Sequence, residues 1–169
     1  AFITKAEIFH KMNGFDESLF AHMEEIDYHW RCLANGYEIY IQPKAIVYHK
    51  GGQTLKYGSY QKTYLNHRNS MILFLTNNHN LSLITIIKRI LLEDIAFLYY
   101  LLTGKLKSAL AIAGANLWCI FNIKYLLKRK KNNKANIKPN YKISDDLMVP
   151  YSIVKVYFYN QKKRFTQLN

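Results

Sequence analysis

Residues 22–35 read HMEEIDYHWRCLAN, and their apolar side chains recur at spacings of three and four. This spacing places the apolar side chains on one face of an α-helix and the charged side chains on the other. Asn35-Gly36 supplies a common signal for the end of a helix. The sequence therefore predicts an amphipathic helix whose first turns carry three carboxylates, those of Glu24, Glu25 and Asp27.

Two short β-prone runs follow this helix, at residues 37–41 and 45–48, and Gln42-Pro43-Lys44 separates them. Their composition predicts a strand, a turn and a second strand. His49 stands at the end of the second run and before Gly51-Gly52, where a ligand could approach the backbone closely. A histidine in that place serves either as a metal ligand or as a hydrogen-bonded structural residue, and the residues alone leave both interpretations open.

Helical patterns flank these segments on both sides. Thr4 and Glu7 have the spacing of a capping box, in which each side chain bonds a free backbone N–H group at the start of a helix. A short helix through Met12 is therefore predicted. Residues 59–75 also have helical periodicity, and the polar run 77–80 marks a boundary after them.

The charge of the chain is concentrated in its second half. The 169 residues carry a net charge of +13, with 8 Lys and Arg against 7 Asp and Glu in residues 1–80 and 16 against 4 in residues 81–169. Such asymmetry indicates a polyanionic partner, either an anionic membrane face or a nucleic acid. Cys32 and Cys119 lie in apolar helical patterns without a CxxC spacing, which predicts reduced core cysteines in a cytosolic setting.

Two long apolar segments occupy residues 81–102 and 106–127. The first is interrupted by charged residues, and the longest uncharged run of the second, 108–123, has 16 residues. Because a spanning helix needs about 20 apolar residues, we expect helices that lie in the membrane interface, with the basic run 128–131 against anionic headgroups. Two alternatives stay open, namely a helical hairpin packed on another domain and a pair of short membrane spans.

Seven segments resemble, in their order and combined spacing, the C-terminal half of the catalytic domain of bacterial family 2 glycosyltransferases, and the last of them resembles the rhamnosyltransferase-like members. The segments are NGFDE (13–17), LFAHMEEID (19–27), WR (30–31), GY (36–37), Pro43, VYHKGGQTL (47–55) and YLNHRN (64–69). Asn13 departs from the glycine that usually opens the first motif, and Glu25 stands where many members have aspartate.

The resemblance implies an α/β fold, the C-terminal half of a GT-A domain with short strands and helices, followed by amphipathic or apolar α-helices. The expected organisation is a partial GT-A catalytic domain at 1–80, an apolar helical hairpin at the membrane interface at 81–131 and a basic aromatic tail at 132–169. A GT-A domain also contains a nucleotide-binding half with a DxD motif, and these 169 residues contain no DxD.

The resemblance also assigns roles to individual residues. Glu25 would be the general base, with Glu24 as the other candidate, and His49 would help to hold a divalent metal, Mg²⁺ or Mn²⁺, together with the DxD half. The five residues expected to bind the substrate are Asp16, Glu17, Asp27, Trp30 and Arg31.

The expected activity is an inverting transfer of a sugar from a nucleotide-sugar donor to a lipid-linked or polysaccharide acceptor in cell-surface glycan synthesis. The expected location is the cytoplasmic face of the inner membrane, as a peripheral protein bound to an anionic surface, with an integral arrangement as the alternative. Because the DxD half is missing, we expect a fragment that is inactive alone. The competing interpretation is a non-enzymatic basic protein that binds a membrane or a nucleic acid, although no zinc finger or RNA-recognition signature is present and no nucleic acid is expected as a partner.

Overall fold

The computed structural model describes residues 2–48, 55–78, 80–138, 155–162, 164 and 167. The chain divides into two compact units, Ala1–Pro139 and Asn140–Asn169. The described part of the larger unit contains six α-helices, namely α1 (Ala6–Lys11), α2 (Glu24–Ala34), α3 (Tyr60–Asn77), α4 (Leu83–Leu102), α5 (Leu106–Phe121) and α6 (Ile123–Ala135). A 3₁₀ turn, Glu17–Leu19, lies between α1 and α2, and the smaller unit contains one π-helical turn, Lys155–Tyr159.

The predicted α/β fold class is wrong, because the described residues are helical and form no strand or sheet. The runs 37–41 and 45–48, predicted as strands, are irregular and are joined by a turn at Pro43-Lys44. Within the described ranges their backbone groups form no ladder, and Ile41 and Tyr48 are 89% and 96% exposed. A β-prone sequence becomes a strand only when a neighbouring strand takes its hydrogen bonds and a core covers one face.

Helix α3 lies at the centre of the larger unit. It packs against α5 and α6, and α4 packs against α5. The principal buried cluster comes from the 3₁₀ turn, α3, α5 and α6, and consists of Leu19, Met71, Ile72, Leu73, Cys119 and Leu126. Burying a side chain such as Leu19 contributes roughly 1.5–3 kcal/mol to the free energy of folding. This burial attaches the segment before α2 to the helical core.

Gly114 allows α3 and α5 to approach closely. A Cβ atom at this position would lie 2.8 Å from the Tyr60 hydroxyl and 3.7 Å from the Tyr64 ring. The first distance is shorter than a van der Waals contact, so a larger residue would require the Tyr60 side chain to move. The glycine therefore fits the contact between the centre of α5 and the first turns of α3.

The segment 106–127 is not one helix. It is broken at Asn122, where the axes of α5 and α6 form an angle of 72°, and the Asn122 amide donates to the carbonyl of Trp118 at 2.8 Å. Among the described residues no single helix has the length and apolar character to cross a bilayer, and only the bent pair of α5 and α6 meets those criteria, on length and composition alone.

Helix α4 has an unusual distribution of side chains. Its only buried residue is Glu93, which accepts a hydrogen bond from His67 Nδ1 at 2.6 Å and pairs with Arg89 at 2.5 Å. Several aliphatic side chains of the same helix are more than half exposed, among them Ile84, Ile95, Leu98 and Leu102. Helix α4 therefore packs on α5 and makes a polar contact with α3 through Glu93, while an apolar surface faces outward.

The predicted capping box is also wrong. Helix α1 begins after Lys5 with no side-chain cap, and the Thr4 hydroxyl instead lies 3.0 Å from the hydroxyl of Tyr28. Side-chain caps occur at α3 and α4, where Ser59 and Ser82 each accept a hydrogen bond from the backbone N–H three residues later, at 3.2 Å. Tertiary contact with α2 thus replaces the local capping contact at α1.

Candidate functional site

The loop before α2 has a strained backbone. Phe20, His22 and Met23 have φ angles of 55°, 66° and 72°. The N–H of Ala21 donates to the carbonyl of Leu19, which makes Phe20 the centre of a γ-turn with positive φ, a rare and strained conformation. Such conformations cost about 1–3 kcal/mol each and persist only where the surroundings hold them.

Asn69 on α3 holds this loop. Its side chain is fully buried, and Nδ2 lies within 2.8 Å of three carbonyl oxygens, those of Leu19, Ala21 and His22. Because these bonds replace the solvation that the carbonyls lose on burial, the loop geometry is stabilised at this one amide. The amide therefore holds the loop that leads into α2.

Arg129 on α6 lies at the centre of a buried polar network. Its Nη2 atom donates to Asp27 Oδ1 at 2.7 Å, and its Nε atom donates to Asp16 Oδ2 at 3.1 Å. Its Nη1 atom donates to Asn77 Oδ1 at 2.8 Å and to the hydroxyl of Thr76. Burial alone would lower the pKa of Arg129, but the charges and hydrogen bonds of Asp27 and Asp16 raise it above its ordinary value.

Asp27 joins three helices. Its side chain is fully buried, Oδ2 accepts from Arg31 Nε at 2.8 Å, and Oδ1 accepts from Asn77 Nδ2 at 2.9 Å in addition to Arg129. Arg31 also donates to the carbonyls of Met12 and Gly14. With both oxygens engaged, Asp27 positions α2 against α3 and α6.

A cavity of about 650 Å³ opens over this network. Its lining includes four of the five residues predicted to bind substrate, namely Asp16, Asp27, Trp30 and Arg31. Six asparagines also contribute, namely Asn13, Asn35, Asn77, Asn132, Asn133 and Asn136. The arrangement combines amides that both donate and accept hydrogen bonds with carboxylates, guanidinium groups and the rings of Trp30 and Tyr125.

Two of the lining side chains are held in defined orientations. The Trp30 indole N–H donates to the carbonyl of Asn77 at 3.1 Å, at the end of α3. Asp16 accepts from the Ser18 N–H at 3.0 Å and thereby caps the 3₁₀ turn. Burial would raise the pKa of Asp16, but its hydrogen bonds to Ser18 and the charge of Arg129 hold it below its ordinary value of 3.8, so the carboxylate is ionised.

The other predicted site residues do not join this cavity. Glu25 and Glu17 are exposed, Glu24 is half-buried, and none of the three is among the lining residues. One oxygen of Glu24, Oε2, is buried without a hydrogen-bond partner among the described residues. His49, the predicted metal ligand, lies outside the described residues, and within them no three His, Cys, Asp or Glu side chains come together as a metal site.

The sequence interpretation missed Arg129 and the asparagines around it. Arg129 belongs to the basic run 128–131, for which the sequence predicts contact with anionic headgroups. A signal was nevertheless present, because Leu126, Arg129 and Asn133 are spaced by three and four and so share one helix face. Leu126 and Arg129 are both buried, which places that face against α3.

Comparison with protein-family models, with curated proteins and with solved structures gives no significant match. The class of the site is therefore defined by its geometry. It is a cavity between α2, the end of α3 and α6, lined by charged, amide and aromatic side chains around one buried guanidinium group.

Proposed function

We propose that the cavity over Arg129 binds a sugar, and that the chain supplies the acceptor side of an inverting glycosyltransferase of family 2. The supporting observation is that Asp16 lines the same cavity as Asp27, Trp30 and Arg31, which share one face of α2. The resemblance selected these residues for substrate binding independently of their positions in space.

The chemistry of the lining suits a carbohydrate. Sugar hydroxyls need donors and acceptors together, and side-chain amides provide both. Trp30 and Tyr125 add flat apolar surfaces on which the C–H face of a sugar ring can pack. The volume of about 650 Å³ lies within the ~300–1,000 Å³ of ordinary small-molecule sites, so one or two sugar units would fit.

The proposed reaction is a direct displacement. A carboxylate takes the proton of the acceptor hydroxyl, the resulting oxygen bonds to the anomeric carbon, and the nucleoside diphosphate leaves with the electrons of the broken bond. The resemblance offers Glu25 and Glu24 as bases, but neither lines the cavity, so the assignment of the base between them stays a prediction. The divalent metal that the resemblance implies stays a prediction, and no step here depends on it.

A peripheral location at the cytoplasmic face of a membrane is part of the proposal. The exposed aliphatic side chains of α4 and α5 support it, since contiguous apolar surface on a folded chain marks an interaction site. The lysines of α6 support it as well, because each lysine near an anionic surface contributes about 1 kcal/mol of attraction.

The sugar site can be tested by ligand-observed NMR, with methyl glycosides of common hexoses and deoxyhexoses as probes. Asn132 and Asn136 are exposed lining residues, so the double variant Asn132→Ala, Asn136→Ala should keep the fold while binding weakens about tenfold. Lys131→Ala, on the same helix but outside the lining, is the control. Equal binding by the two variants, or no binding of any probe by the folded chain, would refute the sugar site.

The membrane location needs a separate assay. Flotation with vesicles that contain an anionic lipid should capture the chain, and Leu98→Ser together with Leu102→Ser should reduce capture severalfold. Lys88→Ser and Asp94→Ser, exposed polar positions of the same helix, are the controls for the apolar contribution. Undiminished capture of the leucine variant would exclude α4 as the contacting surface.

A further inference from the structure

A second cavity, of about 940 Å³, lies between the first turns of α3 and the start of α5, and it shares no lining residue with the cavity over Arg129. Its lining contains three lysines and two histidines, namely Lys62, Lys105, Lys107, His22 and His67. None of its described lining residues is acidic. Lysines gathered around one cavity repel one another unless an anion joins them.

The cationic side chains are held by specific contacts. Lys62 Nζ lies 3.6 Å from the centroid of the Tyr57 ring, and Lys105 Nζ lies 5.8 Å from that of Tyr100. These aromatic contacts orient the ammonium groups without neutralising their charge. His67 is fixed through Nδ1, which bonds to Glu93 at 2.6 Å, so its Nε2 atom is left for a ligand.

One further polar atom of the lining residues has no partner among the described residues. The Nε2 atom of His22 is buried and makes no hydrogen bond there. Buried polar groups are normally satisfied, so this nitrogen is available to a ligand in the cavity. Ser108 also lines the cavity and is only 8% exposed.

The start of α5 contributes to the same wall. Leu106, Lys107 and Ser108 form its first turn, and Lys105 before it provides no side-chain cap. The free N–H groups and the dipole at a helix start favour a bound anion. Helix dipole, lysines, imidazoles and a buried hydroxyl therefore point toward the same kind of ligand.

We propose that this second cavity binds a phosphorylated ligand, with its phosphate or diphosphate held by Lys105, Lys107 and Ser108. The volume exceeds that of inorganic phosphate, so a larger molecule carries the group. Leu106 and Leu110 give the cavity an apolar side as well. The assignment goes beyond the proposed sugar site and stands on different residues.

The test is calorimetric titration of the full chain with inorganic pyrophosphate. The double variant Lys105→Gln, Lys107→Gln changes exposed side chains, so it should fold normally by circular dichroism and bind at least tenfold more weakly. Ser108→Ala should weaken binding about threefold or more. Lys88→Gln and Lys131→Gln, which remove one charge each outside the lining, are the controls for non-specific attraction.

Two further experiments distinguish a soluble phosphorylated ligand from a lipid headgroup. A nucleoside diphosphate that displaces pyrophosphate identifies a soluble ligand, whereas capture by vesicles with phosphatidic acid, lost in the double variant, identifies a lipid headgroup. Either result supports the proposal. Pyrophosphate binding that is equal in the wild type, the double variant and the Lys88→Gln control overturns it, as does the absence of binding to every probe.

Discussion

Arg129 Nη2 lies 2.7 Å from Asp27 Oδ1, and this ion pair joins α6 to α2 across 102 positions of the sequence. Both side chains are buried, with 8% and 0% of their surfaces exposed. An ion pair at such depth is retained only when further hydrogen bonds offset the loss of hydration. Asp16, Asn77 and Arg31 provide those bonds, so the wall of the proposed sugar site and the helix packing depend on one network.

Removal of Arg129 should destabilise the fold strongly. In Arg129→Met the carboxylate of Asp27 is left buried beside fewer donors, and we expect the free energy of unfolding to fall by about 3–5 kcal/mol. Urea denaturation followed by circular dichroism measures this. Lys131→Met, an exposed site on the same helix, should change the free energy by less than about 0.5 kcal/mol. If Arg129→Met lowered the free energy of unfolding by no more than Lys131→Met does, the network would contribute little to stability.

The helices follow from local sequence much better than the polar network does. The spacing of apolar residues predicts helices over 22–35 and 59–75, and the structure has Glu24–Ala34 and Tyr60–Asn77. This agreement is expected because helical hydrogen bonds are local. The strands predicted at 37–41 and 45–48 fail because a strand is decided by its partner, which short-range composition does not reveal.

The site could be predicted only in part. The resemblance predicts substrate binding at Asp16, Asp27, Trp30 and Arg31, and these residues line one cavity. Arg129 stands in a run of lysines, so the sequence does not mark it as a site residue. It differs from these neighbours because its face of the helix is buried. A long-range pair of this kind depends on packing between helices, so its partner cannot be identified from spacing along the chain.

Loss of the Asn69 amide should loosen the loop before α2. Asn69→Ala removes the donor shared by three buried carbonyls, and we expect a loss of about 2–3 kcal/mol in the free energy of unfolding. Hydrogen exchange of the backbone amides in 20–24 should accelerate, because their strained conformation loses its support. Asn66→Ala, an exposed position one turn earlier on α3, is the control. Unchanged exchange in the Asn69 variant would contradict this role for the amide.

Glu93 should make stability depend on acid pH. Burial would raise its pKa, but the hydrogen bond from His67 and the charge of Arg89 hold the pKa below 4.5. Because the folded-state pKa lies below the unfolded one, the contribution is present above about pH 4.5 and is lost as the pH falls through the folded value. Glu93→Gln should therefore be about 1–3 kcal/mol less stable than wild type at about pH 7.

The difference in stability between wild type and Glu93→Gln should depend on pH. As wild-type Glu93 becomes protonated, the two proteins come to carry the same charge, so the difference in their free energies of unfolding should shrink below about pH 4. Asp94→Asn, the exposed neighbour, should show a small and nearly constant difference across the range. A gap between wild type and Glu93→Gln that is independent of pH would contradict the ion-pair explanation.

The cysteines should report on unfolding. Cys119 is buried among the core residues, and burial raises the pKa of its thiol to about 11. Since the thiolate is the reactive form, labelling by a thiol reagent at about pH 8 should be at least ~100-fold slower than for an exposed cysteine, whose pKa is about 8.5. Cys32→Ala leaves Cys119 as the only thiol, and in denaturant it should react at the ordinary rate. Rapid labelling of Cys119 in the native protein would mean that α5 separates from α3 far more often than its burial implies.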